Sequence, residues 1–203
     1  RMNGRFITFE GVEGCGKTTQ IRMLEAHLLE KGVEVVTTRE PGGPPIAESI
    51  RQVLLDVNNH TMAPMTEVLL YEAARAQHVH EVIRPALKRG AVVLCDRFAD
   101  STTAYQGAGR GLPRDEVLRL HTLATRGVWP DRTYVLDLDP AQGLARARAR
   151  GRTDRLEQEA LAFHERVRAG FHELARSEPE RIRIVNGAQP VEAVAQEIRA
   201  DAD

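Results

Sequence analysis

The sequence predicts an α/β fold in which a parallel sheet carries helices on both faces, and three observations support it. Five short apolar segments alternate with longer stretches of helical periodicity across 203 residues, the rhythm of strand–helix–strand units joined by right-handed crossovers. Most of the apolar segments are nearly continuous rather than alternating, as strands buried on both faces are. Gly32 and Gly90 fall where a helical pattern stops and a strand pattern begins, the place of a glycine just past a helix end.

In chain order, "RFITFE" (5–10) reads as the first strand and 17–31 as the first helix. "VEVVTT" (33–38) is the second strand, followed by helices at 44–56 and 64–88. "AVVLCD" (91–96) is the third strand, and 113–127 the next helix. "TYVLDLD" (133–139) precedes helices at 140–150 and 154–177; "RIRIV" (181–185) precedes a last helix at 190–200. The stretch 96–111 reads as a strand-end loop, and "GAGRG" (107–111) within it as a mobile one, since no Lys-Thr follows to make it a phosphate loop. No repeat, low-complexity tract or linker breaks the pattern, so residues 1–203 are expected to form one domain. Ligands of such sheets bind beyond the carboxyl ends of the strands. Loops at 10–19, 39–43 and 96–111 are therefore expected to face one cleft.

Composition narrows the function classes. A formal net charge of -1 provides no overall basic field for nucleic acid. Two cysteines, Cys15 and Cys95, are no disulfide framework, although neighbouring first and third strands would make their proximity testable. No apolar run approaches the length of a membrane span, and "RFITFEG" is too short and mixed for a secretory segment. The expectation is a cytoplasmic protein with neither a nucleic acid nor a membrane partner. Seven histidines show no metal-ligand spacing, and "HEVIRP" (80–85) lacks the second histidine a zinc helix needs.

Gly11-Val12-Glu13-Gly14-Cys15-Gly16-Lys17-Thr18 matches the pattern G-x-x-x-x-G-K-[ST] after a strand and before a helix. Its glycines let backbone N–H groups turn inward around a phosphate chain, and the helix end adds positive field. Lys17 can reach terminal phosphates, while the Thr18 hydroxyl can serve Mg²⁺, with Thr19 next in line. Asp96, closing the third strand, stands where a second metal-holding carboxylate belongs. A nucleoside triphosphate is implied. Hydrolysis driving a conformational switch and transfer to a second substrate both remain open at this point.

Transfer brings a second anion against the first and so demands extra cations. Arg39, Arg51 and Arg97 lie at strand ends or one helix on. Arg146, Arg148, Arg150, Arg152 and Arg155 crowd the segment 145–157 around Gly151. Such a run suits either a solvated basic helix or a lid that excludes water. On the helix at 64–88, Tyr71 and Arg75 share a face that His78 continues, a plate and planar donor suited to a flat base. Met65, Val68, Leu69 and Ala76 are expected to form its separate buried side.

"FEGVEGCGKTT", "TREPGG", "LLYEAARAQHV", "DRFADSTTAYQGAGRGL" and "DRLEQE", in this order and spacing from Phe9 to about Phe171, resemble the bacterial thymidylate kinases. The resemblance implies transfer of the γ-phosphoryl group of ATP to dTMP with Mg²⁺, a strand order of 2-3-1-4-5, and a homodimer. It implies that Glu13 contacts the sugar 3′-hydroxyl, and that Arg97 and Arg51 grip the monophosphate. Arg75 would bond a thymine carbonyl and Tyr71 stack on the base. Thr102 and Tyr105 would line the base and deoxyribose pocket, with Ser101 beside them. It further implies that Asp96 orders the metal and reacting phosphates, and that Arg150 and Arg155 act from the lid, as befits a chain with Gly14 after the loop carboxylate. Four departures from the family pattern stand out: Tyr71 for a common Phe, Pro44 for a usual Thr, Asn186 for a usual Asp, and Phe171 for a frequent Tyr.

Overall fold

The computed structural model describes residues 3–151 and 154–203; Arg152, one of the lid arginines of the sequence reading, lies outside them. Five strands, β1 (Arg5–Glu10), β2 (Val35–Arg39), β3 (Val92–Asp96), β4 (Arg132–Asp137) and β5 (Ile182–Asn186), form one sheet in the order β2-β3-β1-β4-β5. All pairings are parallel, with Phe9 opposite Asp96 and Tyr134, and Arg39 opposite Asp96. This register brings Glu10, Arg39 and Asp96 to one end of the sheet, as the strand-end rule requires.

Side-chain alternation sends β1 into two cores. Ile7, Phe9 and Leu94 share one cluster with Ile21, Leu24 and Leu28 of α1 (Lys17–Glu30). Phe6, Val93 and Cys95 share another with Val79, Ile83 and Leu87. Cys15 belongs to the first cluster and Cys95 to the second, and both are free thiols. The expected proximity of the two cysteines gives way to placement in separate cores, because Cys95 points to the other face of the sheet from the cluster that holds Cys15.

The helix expected at 64–88 is α3 (Pro64–His78), a π-helical turn (Val79–Ile83) and α4 (Arg84–Lys88). Pro85, at the start of α4, has no N–H to donate and crowds the preceding turn, which widens the ladder there. Its buried side also differs from expectation. Met65 and Leu69 are 41% and 47% exposed, and Ala76 is exposed. Val68 is buried as expected, but its companions are Glu67, Tyr71, Glu72, Ala74, Arg75 and His78. Charged partners inside the molecule draw in the polar face, so the apolar stripe is the one turned outward.

The stretch 96–111 is helical, not a loop: α5 (Ala99–Thr102) runs into a π-helical segment (Thr103–Gly109). Ser, Thr and Gly there are weak helix formers, and packing prevails over propensity. Thr102, Thr103, Ala104, Tyr105 and Gln106 are buried where this segment lies along α8 (Leu161–Ser177). Small residues permit the approach: a Cβ on Gly170 would stand 2.8 Å from Ala108 Cβ and 3.3 Å from Ala104 Cα. The start of α8 is later than the expected 154, because Asp154 accepts from the Leu156 and Glu157 N–H groups in a turn.

α2 (Pro45–Leu55) packs on α3, and α3 on α6 (Arg114–Thr125). α7 (Pro140–Ala149), capped by Asp139, lies against the Gly-rich loop, and α9 (Val191–Ala202) against α1. No helix of the described residues is long and apolar enough to cross a membrane. Filling the α8 contact tests the packing account: Gly170→Val is expected to lose about 1–3 kcal/mol of stability through overpacking, read from urea unfolding midpoints.

Candidate active site

A cleft of about 440 Å³ opens at the carboxyl end of the sheet. Its near end is the Gly-rich loop. Gly16 at φ 100 is the left-handed residue before α1, which only the missing Cβ makes easy. Glu13, Gly14, Gly16, Lys17, Thr18 and Thr19 line the cleft. Gly11, Val12 and Cys15 stand behind, all buried. The Gly11 and Val12 carbonyls accept from Lys17 Nζ at 3.4 and 3.3 Å, so this ammonium lies across the loop it is expected to serve. Thr18 Oγ1 donates to Asp96 Oδ2 at 3.1 Å. A hydroxyl and a carboxylate oxygen so paired are hard donors of the kind Mg²⁺ accepts. No cluster of three or more His, Cys, Asp or Glu able to hold a metal occurs among the described residues. That donor set fits an ion that keeps most of its shell as water and substrate phosphate.

Arg97 forms the floor. Its φ of 71 is left-handed, rare for a residue with a side chain, and its N–H donates to Phe9 O at 2.9 Å. Nη1 donates to Gly11 O at 2.8 Å and Ser101 Oγ at 3.1 Å. Nη2 reaches Glu13 Oε1 at 3.3 Å and the Tyr105 hydroxyl at 3.1 Å. Tyr105 in turn donates to Glu13 Oε1 at 2.6 Å. Burial acts to raise the Glu13 carboxyl, but His164, Arg97, Tyr105 and Lys17 outweigh it and hold it at about 2. Glu13 is therefore ionised at neutral pH.

The far end is built on α3. Arg75 is 1% exposed, and its Nε donates to Glu40 Oε2 at 2.8 Å, Nη1 to Glu72 Oε1 at 2.5 Å, and Nη2 to Thr102 Oγ1 at 3.0 Å. A guanidinium has five N–H donors, so two remain. His78 meets Glu40 Oε1 at 2.9 Å and Thr38 Oγ1 at 2.7 Å, and His121 meets Glu72 at 2.8 Å. Arg39 and Arg51 each donate to the Pro41 carbonyl at 2.8 Å. Tyr71, Arg75, Ser101, Thr102 and Tyr105 all line the cleft with Asp96 and Arg97.

The basic segment divides. Arg146 and Arg150 line the cleft, and Arg146 Nη1 reaches Gly14 O at 3.5 Å. Arg155 does not line it, contrary to the expected lid role. It is 6% exposed, paired to Glu67 Oε2 at 2.5 Å and donating to Leu54 O at 2.8 Å. Glu67 also binds Gln106 and Arg110, so Arg155 ties the end of the segment to α3. Asn186 is exposed, and its Oδ1 accepts from Ala188 N–H at 3.0 Å. Phe171 is in the core, edge-on to Tyr105.

Sequence reasoning missed Glu40, Gln106 and His164. Glu40 was legible in principle, since a guanidinium placed on a buried helix face needs a carboxylate, and "TREPGG" offers one at a strand end.

The sheet order, the phosphate loop and the second arginine-lined end define a P-loop nucleoside monophosphate kinase fold. The family model described as thymidylate kinase matches residues 9–198. The chain is 59% identical over 198 residues to a thymidylate kinase of Geobacter sulfurreducens, covering 95% of this chain and 93% of that one. It is 54% identical over 196 residues to that of Thermomicrobium roseum, covering 96% and 92%. The crystal structure of the thymidylate kinase of Ehrlichia chaffeensis superimposes with a TM-score of 0.81 at 34% identity over 99% of both chains. This chain belongs to the thymidylate kinase family.

Glu10, beneath the floor, has a pH signature. Fully buried beside Asp100, it accepts from Phe98 N–H at 2.7 Å and from the Ser101 hydroxyl. Burial, then Asp100, push its carboxyl from 4.5 up to about 8. The folded state then binds the extra proton between these values, so Glu10 lowers stability as pH rises from 4.5 to 8. Glu10→Gln is expected to flatten that fall and to be more stable than the parent at pH 8, measured by urea unfolding across the range.

Proposed function

We propose that the protein transfers the γ-phosphoryl group of ATP to dTMP, giving dTDP and ADP, by direct in-line displacement. One observation carries the reading: a single cleft is lined by the phosphate loop, by Tyr71 and Arg75 of α3, and by Arg97 and Tyr105 of its floor. Two nucleotides held end to end bring their phosphates together over Arg97. Alignment and charge neutralisation suffice for such a reaction, and no covalent enzyme intermediate is required.

The loop N–H groups and Lys17 hold the triphosphate, Lys17 leaving the carbonyls of Gly11 and Val12. Thr18 and Asp96 would hold Mg²⁺, which when bound neutralises charge on the reacting phosphates. Arg51 and Arg97 take the acceptor phosphate. Tyr71 stacks on the thymine, while the two remaining donors of Arg75, with Thr102, face its carbonyl acceptors. Glu13 accepts from the sugar 3′-hydroxyl, and Tyr105 crowds the place of a 2′-hydroxyl. Residues 145–157 serve as a lid on one kinase unit that spans the chain. Arg146 and Arg150 supply its cations, and Arg155 anchors it through Glu67. A cytoplasmic location accords with this use of ATP.

A homodimer is part of the reading. Ile46 and Val53 of α2, Met65 and Leu69 of α3, and Leu118 and Leu123 of α6 are all at least 40% exposed on three helices packed side by side. Leu69→Glu is expected to convert a sedimenting dimer into monomer.

A coupled assay of ADP release with ATP and dTMP, dUMP, GMP, AMP or no acceptor is expected to favour dTMP. Acceptor-independent turnover would instead indicate a switch ATPase. Lys17→Ala and Arg97→Ala are each expected to lose at least about 100-fold in kcat/KM, the scale of a removed transition-state donor, with an unchanged circular dichroism spectrum.

A further inference from the structure

Behind Glu13, set back from the cleft, stands a histidine. His164, in the first turn of α8, is fully buried, with its ring edge-on to Phe163 at 5.3 Å between centroids. Its Nδ1 stands 3.2 Å from Glu13 Oε2 but out of hydrogen-bond alignment. That oxygen and both ring nitrogens are consequently buried without a hydrogen-bonded partner. The other oxygen, Oε1, is already shared by Tyr105 and Arg97. Buried polar atoms are nearly always satisfied. Unsatisfied atoms that face one another on an ionised carboxylate mark a contact completed by a small turn of either side chain. Among the described residues no donor bonds Oε2, since Tyr105 and Arg97 both bond Oε1.

We propose that His164 is a positioning residue for acceptor selection: its Nδ1–H donates to Glu13 Oε2 as the acceptor sugar binds, holding Oε1 at the cleft for the 3′-hydroxyl. His164 does not line the cleft and acts only through Glu13. The inference rests on the proposed contact between Glu13 and the sugar 3′-hydroxyl. It explains why a polar ring occupies a site flanked by Phe163 and Val167, where an apolar side chain would otherwise pack.

The test compares dTMP with 3′-deoxy-dTMP as acceptors, reading the ratio of their kcat/KM values. His164→Phe, which keeps the ring volume and removes the donor, is expected to shrink the ratio about ten-fold, the scale of one hydrogen bond to a charged group. His164→Asn, whose amide nitrogen takes the place of Nδ1, is expected to restore most of it; melting temperatures establish that both variants fold. Equal losses on the two acceptors, or failure of a folded Asn variant to restore the ratio, would overturn the proposal. Glu13→Gln separates the two levels. If it leaves the ratio untouched, the assignment of Glu13 fails and the role of His164 falls with it. If it shrinks the ratio while His164→Phe does not, only the role of His164 fails.

Discussion

Everything about this cleft follows from the need to keep guanidinium groups inside a protein where anions are to meet. A lone buried charge is prohibitively costly, and the most deeply buried guanidinium groups are paired with carboxylates. Arg75 has Glu40 and Glu72, Arg97 has Glu13, and Arg155 has Glu67. Breaking any such pair would leave the other charge stranded. These pairs fix donor directions, and the donors left over point the way a substrate must lie. Electrostatic preorganisation of this kind avoids reorganising water while charge moves.

The same chain of ion pairs joins parts of the fold distant in sequence. Glu40 directly follows β2 and meets both Arg75 and His78 of α3. Glu72 on α3 reaches His121 on α6. Glu67, one turn before Tyr71, gathers Gln106 and Arg110 from the helical stretch after β3 and Arg155 from the segment beyond α7. The base slot, the floor and the lid root are thereby each held by a polar cluster of their own, centred on Arg75, Arg97 and Glu67.

Much of this was legible in the sequence, and the reasons are physical. Strand runs such as "AVVLCD" declare themselves because both faces are apolar. The phosphate loop declares itself because few residues besides Gly tolerate its backbone, and because Lys17 and Thr18 carry defined chemistry. Tyr71 and Arg75 fall on one face by helical spacing alone. Three features escaped. The helix at Ala99–Thr102 and its π continuation exist through packing on α8, which Ser, Thr and Gly do not advertise. Met65 and Leu69 looked internal because periodicity reports an apolar stripe and not where it faces. Arg155 looked catalytic by company, yet Glu67, far from it in sequence, claims it.

The Gly-rich loop and α7 meet with no room for a side chain on either. A Cβ on Gly14 would stand 2.2 Å from the Gly143 carbonyl oxygen, and a Cβ on Gly143 the same distance from that of Glu13. Each obstacle is main chain, so no compensating change at the opposite position relieves it. The two glycines act as a reciprocal lock. It sets the root of the arginine segment against the cradle for the phosphates, backbone to backbone, at an approach that no residue with a side chain could make.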